Sequence, residues 1–380
     1  MEIKFDAYST ACLFGIIQAL VLAAILFRMK RGNRNANRIM GLFLIIIATS
    51  IFIYFILETT NLYYYLPHLI GFSIPMLFLY GPFLFFYIRA LTTPDFRLRA
   101  RSFLHFIPAL ACLLFLSPFY LQSAEDKIAY LQDVPRDRIV FDNLNLAWLC
   151  ALVYVFVYIV ISKRVLYRYT KSIKEIFSNI DRINFKWFRF FFTLFSVCWY
   201  LIIMITIADV FIFKLFFLSR IIPVLVTASV FLFGYVGLVH RNVTEDPVFR
   251  EAVGKYKKSA LGREKSLEHM RAVSAFMEKE KPHLEPDLTL PGLAERLNIN
   301  RNDLSRVINE ATGQNFYDFI NKYRVEAVKR LMQDPGKKHL TLLALAFEAG
   351  FNSKATFNIA FKKHTSLTPR EYMKKPVSTA

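Results

Sequence analysis

The sequence predicts an all-α fold: a polytopic seven-helix transmembrane domain followed by an all-α domain with two helix-turn-helix motifs. Three observations predict it. Seven long apolar runs crowd the first 240 residues, each near the roughly 20 residues that a bilayer-crossing helix needs. The rest of the chain turns polar and keeps a helical period. Within that part, one short pattern of cap, small residue, turn and cap occurs twice.

Composition agrees with such a division. Hydrophobic residues make up 55% of the 380, mean hydropathy is +0.35 and net charge is +19. Greasy and basic together point to a membrane protein with cationic loops, a nucleic-acid binder, or both. The basic excess is present in each part: +11 up to His240 and +8 from Arg241 onward. Cys12, Cys112, Cys150 and Cys198 all sit in apolar runs and form no CxxC pair, so they read as buried apolar residues. No metal site or cofactor is expected.

The runs lie near Tyr8–Phe27, Ile39–Leu57, Leu66–Ile88, Phe103–Leu121, Leu144–Ile161, Phe191–Phe213 and Ile221–Val239. The loops after the first, third and fifth carry 17 Lys and Arg, and the opposite side carries six. By the positive-inside rule the N-terminus is outside, and the C-terminal part lies in the cytoplasm beneath the inner membrane. A cleaved signal peptide does not fit, because the cations follow the first run instead of preceding it.

Inside the runs, Asp209 is the candidate intramembrane signal site, since an acid at that depth is costly. Hydration at the outer end, or a bond to a neighbouring helix, is the plainer reading. Gln18, His68 and His105 are read as helix-helix hydrogen-bonding groups. Pro75, Pro82, Pro108 and Pro223 are expected to kink their spans. The seventh run holds no Lys, which excludes a retinal Schiff base there. The outer segment Gln122–Asn143 is too short for a sensor domain, so the loop, the spans or a membrane partner must read any signal.

The expected division is 1–240 for the transmembrane domain, 241–262 for a juxtamembrane linker and 263–380 for the soluble domain. Lys255, Lys257 and Lys258 in the linker suit anionic headgroups or plain solvent. Leu267, Met270, Val273, Phe276 and Met277 then mark one apolar stripe, ended by Pro282.

In the first motif Thr289 caps a short helix with Pro291 in its first turn. Ala294 is small where helices must approach, and Asn298 suits the left-handed turn. Asn300 caps a second helix. Its Leu304, Val307 and Ile308 face inward, and Asn302, Ser305, Arg306 and Asn309 face outward. In the second motif Thr341, Ala346, Gly350 and Ser353 take the corresponding places. Phe357, Ala360 and Phe361 lie inside, with Lys354, Asn358, Lys362 and Lys363 outside. The offset is 52 residues at Ala294 and Ala346, and 53 after the turn, so the second copy has one more turn residue. A helix near Phe316–Met332 joins the copies, and can present both outer helices to adjacent major grooves roughly 34 Å apart.

The run Gly350-Phe-Asn-Ser-Lys-Ala-Thr-Phe-Asn-Ile-Ala-Phe-Lys-Lys-His-Thr-Ser-Leu-Thr-Pro-Arg-Glu-Tyr372, together with Asn315-Phe-Tyr-Asp-Phe-Ile, resembles the AraC/XylS-type DNA-binding domain. The likeness covers about the last 110 residues. The whole arrangement looks like membrane-bound AraC-type regulators of Bacteroidota.

The resemblance implies base reading by Asn302, Ser305 and Arg306 in the first motif, and by Lys354, Ala355, Asn358 and Ile359 in the second. Ile359 departs from the usual polar residue, and a thymine methyl would suit it. Lys337, Lys338, Lys362 and Lys363 are matched to phosphates. The expected function is a DNA-binding transcription regulator in the membrane. Its expected partners are double-stranded DNA, the lipid bilayer, a second copy of the chain, RNA polymerase and an unknown signal ligand. A transmembrane sensor whose helical tail recruits a protein is the competing reading. No phosphate-binding loop, zinc-protease motif or nucleophile elbow points to an enzyme.

Overall fold

The computed structural model describes residues 7–30, 33–59, 64–93, 96–133, 143–180, 186–208, 225–226, 228 and 263–374. Asp209, the connector 241–262 and nearly all of the seventh run lie outside them. The described residues are helical apart from turns and one isolated β-bridge. They fall into two compact units. One comprises 1–166 with 185–245; the other comprises 167–184 with 246–380.

The first unit holds α1 (Ala7–Arg28), α2 (Arg34–Thr59), α3 (Ser73–Thr92), α4 (Ile107–Phe115), the single turn α5 (Ser117–Tyr120), α6 (Ala124–Asp133), most of α7 (Asn143–Lys174) and α8 (Lys186–Ala208). Among the described residues, four segments are long and apolar enough to cross a membrane: Ser9–Arg28, Arg34–Ile56, Pro67–Thr92 and Asn143–Lys174. The helices pack through aromatic edges, with Tyr80 against both Phe43 and Trp199. Gly81 lets α3 lie against α7, since a Cβ there would meet the Tyr158 ring at 2.8 Å.

Several expectations change in this unit. The fourth expected span is not one helix. A 3-10 stretch Ala100–Phe106 leads into α4, and the chain turns again at Ser117-Pro118. Pro118 lacks the N–H that a continuous helix would direct back to the Leu114 carbonyl, which accounts for the break there. Pro75 and Pro108 sit in first turns of helices, where the missing donor is not needed; Pro82 is interior to α3, and Pro223 lies outside the described residues. Cys150 is exposed, while the other three cysteines are buried.

His105 does bond across helices, to the Tyr158 hydroxyl, and the Tyr154 hydroxyl donates to the His105 carbonyl at 2.7 Å. His68 accepts from the Lys127 ammonium, which also donates to the Tyr120 carbonyl at 2.8 Å. Burial pulls the Lys127 pKa below the usual lysine range.

The second unit holds α9 (Arg263–Lys279), α10 (Leu290–Arg296), α11 (Arg301–Thr312), α12 (Phe316–Gln333), α13 (Leu342–Glu348), α14 (Lys354–Thr365) and α15 (Pro369–Lys374). The apolar stripe of α9 is as expected at Val273 and Met277, but Leu267 is exposed. Two cores share α12. Its first half, Phe316, Phe319 and Ile320, packs with Val273, Leu293, Ala294 and Leu304. Its second half, Val325, Ala327 and Val328, packs with Ala346, Phe351, Phe357 and Phe361.

Residues 167–184 belong to this unit, not to the first. The Ser178 N–H donates to the Leu288 carbonyl at 3.2 Å, and the Leu290 N–H donates to the Ile176 carbonyl at 2.8 Å. That is a two-residue antiparallel bridge between Phe177 and Thr289. Ile173, Ile176, Phe177, Ser178 and Ile180 are buried.

Candidate nucleic-acid interface

The two motifs are built alike from local chemistry. Each helix start is capped by a side-chain oxygen that accepts from the first turn. Thr289 caps α10 through Gly292, Asn300 caps α11 through Asn302, Thr341 caps α13 through Ala344, and Ser353 caps α14 through Thr356. Such caps satisfy N–H groups that the helix itself leaves open.

The turns also match. Asn298 and Gly350 both take left-handed backbone, with φ of 52° and 89°. The residue after each, Ile299 or Phe351, donates its N–H to the Ala294 or Ala346 carbonyl at 3.0 Å. Gly350 has a second reason to be glycine: a Cβ there would lie 2.4 Å from the His283 carbonyl oxygen.

The tail is fixed in the same manner. Thr368 and Glu371 bond each other's N–H at the start of α15, and those bonds hold the Glu371 carboxyl below its usual range. Pro369 fills the first helical position, and Tyr372 meets the Phe361 ring edge-on. The Thr-Pro-x-Glu-Tyr run is therefore a clamp that presses α15 onto the second core. Before the first motif, Arg296 grips Glu285 with two bonds of 2.6 and 2.8 Å. This grip lowers the Glu285 carboxyl and ties the turn at Pro282–Leu284 to α10.

The outer faces of α11 and α14 differ. On α14, Lys354, Ala355, Asn358, Ile359 and Lys362 are exposed, Ile359 at 60%. All but Ala355 border an open groove of about 980 Å³, walled by Thr341, Leu342 and Leu343 on one side and Thr368, Pro369 and Arg370 on the other. Arg370 was not picked out from sequence; as an exposed cation one residue after Pro369, beside Lys362 and Lys363 on this groove, it joins the basic rim.

On α11, Asn302 and Arg306 are half-buried, and Arg306 donates to Glu310 at 2.7 Å. Ser305, expected on the outer face, is only 5% exposed. The neighbouring Asn309 amide donates to the Ser305 carbonyl at 2.8 Å and to the Glu175 carboxylate at 3.1 Å. Helical spacing puts Ser305 and Asn309 on one side of the helix but does not foresee that Glu175, distant in sequence, meets that side at Asn309.

The candidate phosphate lysines divide in two. Lys337 pairs with Glu348 at 2.9 Å and Lys363 with Asp318 at 2.7 Å. Lys338 and Lys362 are exposed.

Arg324, also not picked out from sequence, is the largest fully buried side chain among the described residues, at 1% exposure. Its position offered a signal, because it lies between Ile320 and Ala327 on the apolar face of α12. It donates to the carbonyls of His283, Ser178, Glu285 and Pro286, and to the Ser178 hydroxyl. Burial lowers its pKa to about 10, so it stays charged at neutral pH.

The family match falls in this second unit. A family model described as a helix-turn-helix domain matches residues 293–375. An uncharacterized HTH-type transcriptional regulator of Staphylococcus aureus strain COL is 33% identical over 90 residues, 24% of this chain and 12% of that protein. The HTH-type transcriptional regulator GlxA of Rhizobium meliloti is 31% identical over 98 residues, 26% of this chain and 29% of its own length. A putative AraC-like transcription regulator of Streptomyces lividans is 25% identical over 88 residues, 23% of this chain and 28% of that protein. The chain thus spans less than a third of the length of each of these relatives. No solved structure matches. The second unit therefore carries, at residues 293–375, a helix-turn-helix domain of the kind found in AraC-like transcription regulators.

Proposed function

We propose that the chain is a membrane-anchored, sequence-specific DNA-binding transcription regulator that couples a membrane or extracytoplasmic signal to gene expression. The observation that carries this reading is the outer face of α14. Lys354, Asn358, Ile359 and Lys362 stand exposed along an open groove, with Ala355 exposed beside them, on a domain similar to AraC-like regulators. Asn358 has the paired donor and acceptor that suit adenine, and Ile359 suits a thymine methyl. Arg306, with Asn302 and Ser305 beside it, suits guanine in the adjacent groove. Lys337, Lys338, Lys362 and Lys363 supply charge for phosphates.

Four apolar helices and the lopsided loop cations support a multi-pass anchor in the cytoplasmic membrane, with the DNA-binding domain inside. In this reading 1–240 is the membrane domain, apart from the stretch 167–180 that packs in the second unit, 241–262 is the linker and 263–380 the DNA-binding domain. Two protomers pair on the operator, RNA polymerase is the downstream contact, and Asp209 is the candidate intramembrane signal position.

The test is selection of genomic DNA fragments by the full-length protein in lipid nanodiscs, beside an Arg306→Ala, Asn358→Ala variant. The expected result is enrichment of one sequence class by the parent and its loss in the variant. Salt-sensitive binding without sequence preference, equal in both proteins, would overturn the reading and favour a domain that recruits a protein.

A further inference from the structure

We infer that residues 173–180 form a releasable strap that covers the first motif and holds its DNA contacts back. The inference deepens the DNA-binding reading and rests on it.

Three independent observations carry it. The first is attachment. The strap adds a short antiparallel bridge to the chain just before α10 and buries Ile176 and Phe177 in the second unit. Ser178 gives the Arg324 guanidinium two of its acceptors. The second is placement. Glu175 sits on the outer side of α11, where its carboxylate accepts from Asn309, one turn beyond Ser305. A duplex seated on that helix would bring phosphates towards this carboxylate, and like charges at short range repel. The third is contrast. The face of α14 is exposed, while on α11 Ser305 is buried and Asn302 and Arg306 are half-buried. Two motifs with matching caps and turns therefore differ in access, and the strap lies on the less accessible one.

The attachment is of a kind that can open. It consists of a two-residue bridge, a hydroxyl and a few apolar side chains, not a full strand pairing. The strap begins in the last turn of α7, which ends at Lys174. A shift of that helix end would pull on Glu175 and Ser178 first. Closed, the domain offers DNA the α14 face alone; open, it offers both.

The experiment uses the full-length chain in nanodiscs of phosphatidylcholine and phosphatidylglycerol, with the selected operator. Ser178→Pro removes the N–H that bonds Leu288, and Glu175→Ala removes the carboxylate without touching the bridge. Each variant is expected to bind at least fivefold more tightly than the parent, with strand protection spreading into the half-site of the first motif. Faster hydrogen exchange at the Leu290 amide reports strap release in Ser178→Pro. Equal or weaker binding by both variants, with that amide exchanging faster, would overturn the strap while leaving DNA reading intact. Failure of the parent itself to select any operator would overturn both.

Discussion

Arg324 holds Ser178 twice, donating to its carbonyl at 3.1 Å and to its hydroxyl at 3.0 Å, across 146 residues of sequence. The guanidinium is buried, and its bonded partners are neutral oxygens. A buried cation of this kind is tolerated only while its donors are filled.

Replacing Arg324 by Ala should therefore strand several carbonyls at once. The expected loss is about 3 kcal/mol or more from the second unit, against about 1–2 kcal/mol for Ser178→Ala. Hydrogen exchange of the α12 amides in the full-length protein measures both. Equal effects would mean that Ser178, not the carbonyl set, is the main partner.

Gly350→Ala should disrupt the second motif more than any single cap substitution. The backbone there has φ of 89°, and the added methyl would lie 2.4 Å from a backbone oxygen that cannot swing aside. A cost above about 2 kcal/mol is expected, compared with about 1 kcal/mol for Ser353→Ala. Exchange protection in α14 of the two variants gives the comparison.

His283 predicts a pH dependence. Burial first, and then the charges of Arg330, Arg324 and Lys281, push its pKa down to about 4. The folded value is thus below the ordinary value of about 6.5, and protonation favours unfolding. The neutral ring's contribution is complete above about pH 6.5 and is lost as pH falls towards 4. The second unit should lose about 2 kcal/mol of stability between pH 7 and 5, at most about 1.4 kcal/mol per pH unit. Exchange corrected for intrinsic rates checks this, and His283→Gln should flatten the profile.

On DNA, Asn358→Ala and Lys362→Ala should fail differently. Loss of the amide should cost about 1–3 kcal/mol on the best sequence and relax preference at one base pair. Loss of the lysine should weaken all sequences alike and reduce the salt slope by about one. Titrations at several salt concentrations, on the selected operator and a scrambled one, separate the two outcomes.

Much of the second unit was legible because its signals are local. Caps at Thr289, Asn300, Thr341 and Ser353, and turns at Asn298 and Gly350, each depend on residues within five positions. The 52-residue offset is visible in the structure as the same bond to Ala294 and to Ala346. What stayed hidden was non-local. A two-residue bridge between Phe177 and Thr289 leaves no periodic trace, so neither the contact of Glu175 with Asn309 nor the bonds of Ser178 to Arg324 could be read. In the first unit hydropathy found apolar stretches but could not see that Ser117-Pro118 would break one of them.

The helix shared by the two cores also restricts how such a chain can change. A linker tolerates gained or lost residues, but α12 does not behave as a linker. One residue inserted between Ile320 and Val325 would turn everything beyond it by about 100° and advance it by about 1.5 Å. Val325 and Val328 would rotate off the second core, and the α14 face would swing away from its partner groove. A change of length between the motifs would therefore be tolerated in the stretch from Asp334 to Leu340, after the helix has ended. Helical phase, not chain length, sets the interval between the outer faces of the two motifs.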